Sequence, residues 1–251
     1  MQKQLPLVDT FNPSLEIWSE RDMTEEESIA FFKENGYIWM KIKDKLITIL
    51  DTPYKAIKYI AEFGADNKVE IFINDTLSKN KNYKLMKQMM PSKTPKVLFD
   101  YQKKYPNYNN ILLSQEINKI NIILAEGQYL FHGGKWFNDS VKILITTKPF
   151  STTFSPLVAL NEALDNGKAY DANGIDLFVV KVKKPQTSVF VYKNNGTFLG
   201  HEKEVLFNSG ATIKLKSIVI IKTNFKVIKV FDRLNIKEKY VPIRILEIDI
   251  Q

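Results

Sequence analysis

Residues Phe150-Ser-Thr-Thr-Phe-Ser-Pro-Leu-Val-Ala159 are where the fold is decided. The run through Phe154 reads as a strand, and Ser155-Pro156 ends it. A serine oxygen can accept from the free N–H groups of a first helical turn, and proline at the first helical position sacrifices no bond. A helix is therefore expected from 157 to about 166, ending at Gly167. Upstream, Tyr129-Leu-Phe-His132 reads as a buried strand followed by Gly133-Gly134, where the missing Cβ lets backbone approach a ligand closely. Downstream, strand follows strand, over 177–182, 188–192, 205–207, 212–221, 226–231 and 243–248.

The first third of the chain reads differently. Thr24-Glu-Glu-Glu27 has the form of a capping box, predicting a helix to Gly36. Two β-rich runs, 37–43 and 46–50, flank Asp44-Lys45 as a hairpin would. Residues 54–63 are helical in pattern, stopped at Gly64, and 69–73 reads as a strand. The stretch 90–110 carries Pro91, Pro95, Pro106 and several Lys and Asn, which predicts a linker. The expected division is a small α+β module over 1–95 and a second domain over 96–251. In that domain Ser114 caps a helix with Ile117, Ile120, Ile123 and Leu124 on one face, ending by Gly127. The chain shows no internal repeat and no low-complexity tract.

Composition removes whole classes of chemistry. With 44% apolar residues in 251, the chain can bury a full core. Cysteine is absent, which excludes disulfides, a thiol nucleophile and every Cys-ligated metal site. Only His132 and His201 are available for a histidine-dependent centre. The 36 Lys+Arg against 28 Asp+Glu favour an anionic partner: nucleic acid, phosphate groups or an acidic protein face. The N-terminal residues lack the pattern of a signal peptide, and no stretch approaches the roughly 18 apolar residues of a membrane span. A soluble, cytoplasmic monomer is expected.

Three segments of the second half bear on function together: Leu130-Phe-His-Gly-Gly134, Phe150 to Pro156, and Gly200-His-Glu-Lys-Glu-Val-Leu206. In the last, Glu202 and Glu204 at the start of a strand share one face through the two-residue period. Their order and spacing resemble those of the mono-ADP-ribosyltransferases, the family of cholera-like and binary bacterial toxins and of phage enzymes that modify host proteins. The resemblance covers about residues 110–250. Ser151-Thr152-Thr153 is similar to the family's Ser-Thr-Ser strand, and Glu202-Lys-Glu204 to its Glu-x-Glu. His132 stands where the toxin-like branch has Arg.

The resemblance implies two packed, mainly antiparallel sheets flanked by helices, an α+β fold with NAD bound in a cleft between them and no metal. It implies that Glu204 stabilises the positive charge developing on the ribose as nicotinamide leaves, a demand shared with glycoside hydrolysis. Ser151 would brace Glu204, and Glu202 would orient an arginine acceptor on a protein. Gly133 would hold the nicotinamide amide through its backbone, with Thr152 also beside the cofactor. His132 would donate a hydrogen bond to a ribose hydroxyl, or be a satisfied core histidine. Lys135 would take up phosphate charge, and Phe154 is either a ring stacked on nicotinamide or core. The loop before the glutamates, Tyr192 to His201, would meet the protein substrate through Tyr192 and Phe198. Two other functions stay open: an NAD glycohydrolase, and a basic nucleic-acid-binding module in which the glutamates are incidental.

Overall fold

A computed structural model describes residues 2–232 and 235–251. In chain order the elements are β1 (Lys3–Gln4), β2 (Leu15–Asp22), α1 (Glu25–Asn35), β3 (Lys41–Leu50), α2 (Pro53–Phe63), α3 (Asn67–Lys79), α4 (Lys81–Gln88), α5 (Lys96–Lys104) and α6 (Asn110–Ile120). There follow β4 (Ile122–Ile123), β5 (Tyr129–Gly134), β6 (Ile143–Ile145), β7 (Phe150–Thr153), α7 (Pro156–Leu164), α8 (Lys168–Asp171), β8 (Ile175–Val182), β9 (Val189–Val191), β10 (Glu204–Phe207), β11 (Thr212–Asp232) and β12 (Asn235–Ile250). The class is α+β. No helix among the described residues is long and apolar enough to cross a membrane.

Eight strands form one sheet in the order β6-β11-β12-β8-β5-β7-β10-β9, antiparallel except for the β12–β8 pair. Between β5 and β7 the ladder narrows to one residue pair, Phe131 with Thr153. The sheet forks there, so the two sheets expected are two arms of a single sheet, and the fork opens between the ends of β5 and β7. The stop-and-start signal at Ser155-Pro156 holds: the Ser155 hydroxyl accepts from the Val158 N–H at the head of α7. That helix lies so close on β5 that a Cβ at Gly133 would sit 1.7 Å from the Ala159 carbonyl oxygen. Gly133 thus owes its identity to helix–strand packing.

The apolar core is one cluster running from Leu5 to Ile250. Helix α2 packs on α7, β8, β11 and β12. The buried Gln128 side chain closes a two-way bond with the Val8 backbone, accepting from its N–H at 2.9 Å and donating to its carbonyl at 2.8 Å. The core therefore crosses the boundary expected near residue 95.

Several local expectations change for identifiable reasons. The capping box at Thr24 and the helix stops at Gly36 and Gly64 form as expected. Residues 69–73 lie in helix α3, because Val69, Ile73 and Leu77 recur at the four-residue spacing of one buried helical face and Asp66 caps the start. Residues 41–50 make one strand pairing with β2, and Asp44-Lys45 is an irregularity bridged by the Ser19 hydroxyl. The cap of α6 is Asn109, and Ser114 instead bonds Ser209 from mid-helix. Strand β11 continues through 222–225 as a bulge where a break was expected. Most consequentially, the expected linker contains helix α5.

Candidate active site

Register fixes the first part of the site. On the β7–β10 pair Thr153 faces Glu204 and Ser151 faces Leu206, so Ser151 lies diagonally across from Glu204 on the same side of the sheet. Its hydroxyl donates to Glu204 Oε1 at 2.7 Å. The second oxygen, Oε2, accepts from Gln102 Nε2 on α5 at 2.8 Å. Both donors favour the ionised carboxylate, but burial outweighs them: Glu204 is 4% exposed and is pushed up to about 7.

Glu202 arrives by a different route from the one expected. It ends a single 3-10 turn, Gly200–Glu202, and Lys203 takes the left-handed conformation at φ +53° before β10 begins. The two glutamates therefore do not share a strand face by alternation. They meet because Lys203 turns its side chain away, where it is buried in an ion pair with Glu70 of α3. The other Glu70 oxygen accepts from the Ser155 hydroxyl, so one acidic side chain ties the turn to the head of α7. Left on the cleft wall, Glu202 is pushed up to about 8 by burial and by the neighbouring Glu162 and Glu204, against an opposing pull from Lys168.

On the opposite wall, His132 lies between the rings of Phe150 and Phe178, at 4.5 and 5.2 Å. Its Nδ1 is 2.7 Å from the Ser151 carbonyl, which can only accept, so the ring proton sits on Nδ1. Burial pushes His132 down to about 4, with the Ser151 carbonyl opposing and Lys168 adding to the shift. The ring is thus neutral at pH 7 and its free Nε2 is an acceptor. That corrects the expected donor role: His132 can receive a hydrogen bond from a ribose hydroxyl and cannot give one.

His132, Gly133, Ser151, Thr152, Glu202 and Glu204 all line one cleft of about 850 Å³, within the range of small-molecule sites. Phe198 lies on the same cleft and is 53% exposed. Thr152 turns its hydroxyl into the sheet, donating to the Val205 carbonyl at 2.7 Å. Three expected site residues are elsewhere. Phe154 is fully buried, edge-on to Tyr83, and belongs to the core. Lys135 lies outside the cleft lining, 3.6 Å from the buried Asp176 that also holds Arg244. Tyr192 is fully buried with its hydroxyl donating to the Leu98 carbonyl, so it cannot meet a protein substrate.

The structure adds residues that the sequence pattern concealed. Gln102 reaches the carboxylate from the supposed linker. Tyr101, Tyr105 and Tyr108 cluster on the same cleft, Tyr105 and Tyr108 with nearly parallel rings 18° apart. Lys148 and Lys168 are the lysines of the lining. The Tyr-rich spacing carries the one local signal of this helix, and the prolines around it point to a linker instead.

No protein-family model and no curated protein matches the chain. Solved structures similar to it include an ADP-ribosyltransferase and bacterial toxin enzymes. The enzyme Vis of Vibrio splendidus, in complex with an inhibitor, aligns with 97% of this chain and 89% of its own at 13% identity and a TM-score of 0.35. The enzymatic component C2-I of the Clostridium botulinum C2 toxin aligns with 78% of this chain at 10% identity and a TM-score of 0.32; the match spans 47% of C2-I. Exoenzyme S of Pseudomonas aeruginosa, bound to human 14-3-3 protein beta and Carba-NAD, aligns with 77% of this chain and 66% of its own at 13% identity and a TM-score of 0.32. Likeness at these scores decides nothing alone, and the functional reading rests on the geometry of the cleft.

Proposed function

We propose that this protein is an NAD-dependent mono-ADP-ribosyltransferase that transfers ADP-ribose to arginine on a protein acceptor and releases nicotinamide. The observation that supports the reading best is the convergence on Glu204: a buried carboxylate, braced by Ser151 and Gln102, facing a cleft that His132 and Gly133 line from the other arm of the sheet. As the bond between nicotinamide and the ribose anomeric carbon breaks, positive charge develops on the sugar, and a preoriented carboxylate in a water-poor site stabilises it. The acceptor nitrogen then bonds that carbon and gives up a proton, for which Glu202 is the nearby base. An ordinary glutamate is a weak base at neutral pH, whereas one held up at about 8 is matched to the task.

The cleft suits the dinucleotide chemically. Phe150 and the tyrosine rings offer flat apolar surface, Lys148 and Lys168 offer charge for the pyrophosphate, and His132 Nε2 offers an acceptor to a ribose hydroxyl. The acidic side of the lining, Glu162, Asp165 and Glu202, suits a guanidinium. In this reading residues 1–95 form a supporting module, through Glu70, and the setting is a toxin-like or phage-type effector whose acceptor is a host protein.

The test is nicotinamide release and label transfer from NAD, with agmatine and a cell lysate as acceptors, for the protein and for Glu204→Gln. Transfer that falls by about 10²- to 10³-fold in the variant is expected. Absence of nicotinamide release by the unsubstituted protein removes the reading, and release of free ADP-ribose unaffected by any acceptor makes it an NAD glycohydrolase instead.

A further inference from the structure

The carboxylate of Glu204 has two oxygens, and the motif resemblance accounts for the support of only one. Ser151 holds Oε1 from the neighbouring strand, but a glutamate carboxylate swings easily about its last torsion, so one donor leaves its plane undetermined. Oε2 is held from outside the sheet by Gln102. That side chain is buried on α5, and its amide orientation is fixed by its partners: Oε1 accepts from the Leu199 N–H at 3.2 Å, so the NH2 end must face the carboxylate. Leu199 lies in the loop 193–201 beside Phe198, on the rim of the cleft. A flip would set the carbonyl oxygen of Gln102 against a carboxylate and lose both bonds.

We propose that Gln102 is a positioning residue for the transfer reaction: its carboxamide ties the loop 193–201 to the second oxygen of Glu204, so that the seating of the loop sets the plane of the carboxylate. This rests on the transferase reading for its catalytic consequence, while the tie itself does not. The arrangement couples two events. An acceptor that presses on Phe198 shifts the Leu199 N–H, and the rigid amide carries that shift to the group facing the ribose. The titratable groups facing Glu204 are Tyr101 on α5, Tyr192 after β9, Glu162 on α7 and Glu202. Both tyrosines are pushed well above their ordinary range by burial and stay neutral, and Glu202, itself pushed up to about 8, is mostly protonated at neutral pH, so the charge that bears on Glu204 there is Glu162.

The test uses the full chain with Gln102→Met, of similar length but without a donor, and Gln102→Glu, of the same size. Thermal melts establish that they fold. Nicotinamide release is measured for kcat and for KM of NAD and agmatine across pH, and the Glu204 carboxyl is titrated by carbon NMR, assigned by its loss in Glu204→Gln. Expected for Gln102→Met are a kcat lower by roughly 10- to 10²-fold with an NAD KM changed by less than about threefold. The acid limb of the rate profile and the NMR midpoint should both move upward, since the lost donor favoured the ionised form; Gln102→Glu should lose more. A folded Gln102→Met with unaltered kcat and an unmoved midpoint overturns the proposal. If Gln102→Met does not fold, the same two readouts in Gln102→Glu decide. If the unsubstituted protein releases no nicotinamide, the transferase reading fails, and an unmoved midpoint still overturns the tie independently.

Discussion

The two walls of the cleft are built by opposite means. The β5 wall, His132 to Gly134, is held by backbone: a regular ladder to β8, a ring proton given to the Ser151 carbonyl, and a glycine pressed against α7. The β10 wall is held by side chains from distant parts of the chain, with Glu70 gripping Lys203, Gln102 and Ser151 gripping Glu204, and the Ser155 hydroxyl closing the set. A backbone-built wall fails only when atoms are added to it. One built from side chains fails when a single remote partner is removed.

The largest effect should come from Glu70→Gln. Lys203 is 4% exposed, and stripping the counter-charge from a buried ammonium costs about 3–5 kcal/mol, while the left-handed turn that presents Glu202 loses its anchor. Urea unfolding should show that loss, together with a fall in transfer to agmatine. An unchanged midpoint would mean that the turn holds itself. Next comes Gly133→Ala on the opposite wall, where the added methyl meets the Ala159 carbonyl at 1.7 Å. Overpacking of this kind costs about 1–3 kcal/mol, and pushing α7 off β5 should raise the KM for NAD. If Gly133→Ala melts like the unsubstituted protein, the close approach of α7 is not as described.

The walls also differ in how they answer pH. His132 ionises at about 4 in the fold against 6.5 when free, so between those values the unfolded chain binds more protons and stability rises with pH. Glu204 and Glu202 keep their protons to about 7 and 8 in the fold against 4.5 when free, so their contribution is complete at low pH and is lost as pH climbs through those values. The two trends oppose one another from pH 4.5 to 6.5. Above 6.5 the glutamates act alone, and unfolding free energy should fall by roughly 2 kcal/mol by pH 8.5, the share of partly exposed Glu202 being reduced by solvent screening. Transfer, which needs the ionised Glu204, should rise over that interval. Denaturation of Glu202→Gln/Glu204→Gln should be flat there; a persisting slope would assign it to other groups.

This contrast also explains what could be read from residues alone. Strand β5 and the cap at Ser155 follow from local chemistry, and each is present; the adjacency of Ser151 and Glu204 is implied by the motif resemblance alone, since no local pattern joins residues 53 apart. The α5 segment was hidden because its prolines signal a break at either end while saying nothing of the nine residues between. Glu70 was hidden because a partner 133 residues away has no local signature, and the short apolar run around it fits a strand as well as a helix face. The strand position of His132 is legible from its neighbours, but its role turns on which ring nitrogen carries the proton, which only the Ser151 carbonyl decides.

The smallest effects separate two aromatic residues that look alike in sequence. Tyr192 stands just before the loop 193–201 and Phe198 within it, yet the first is core and the second rim. Tyr192→Phe leaves the Leu98 carbonyl without its buried donor and should cost about 1 kcal/mol, with KM for NAD and for a protein acceptor unmoved. Phe198→Ala should do the reverse: at 53% exposure it adds little to stability, so melting is unchanged while KM for the protein acceptor rises a few-fold and that for agmatine, too small to span the rim, does not. Equal effects on the two acceptors would place Phe198 against the NAD rather than against the protein, and would move acceptor recognition to the exposed Tyr105 of the cleft lining.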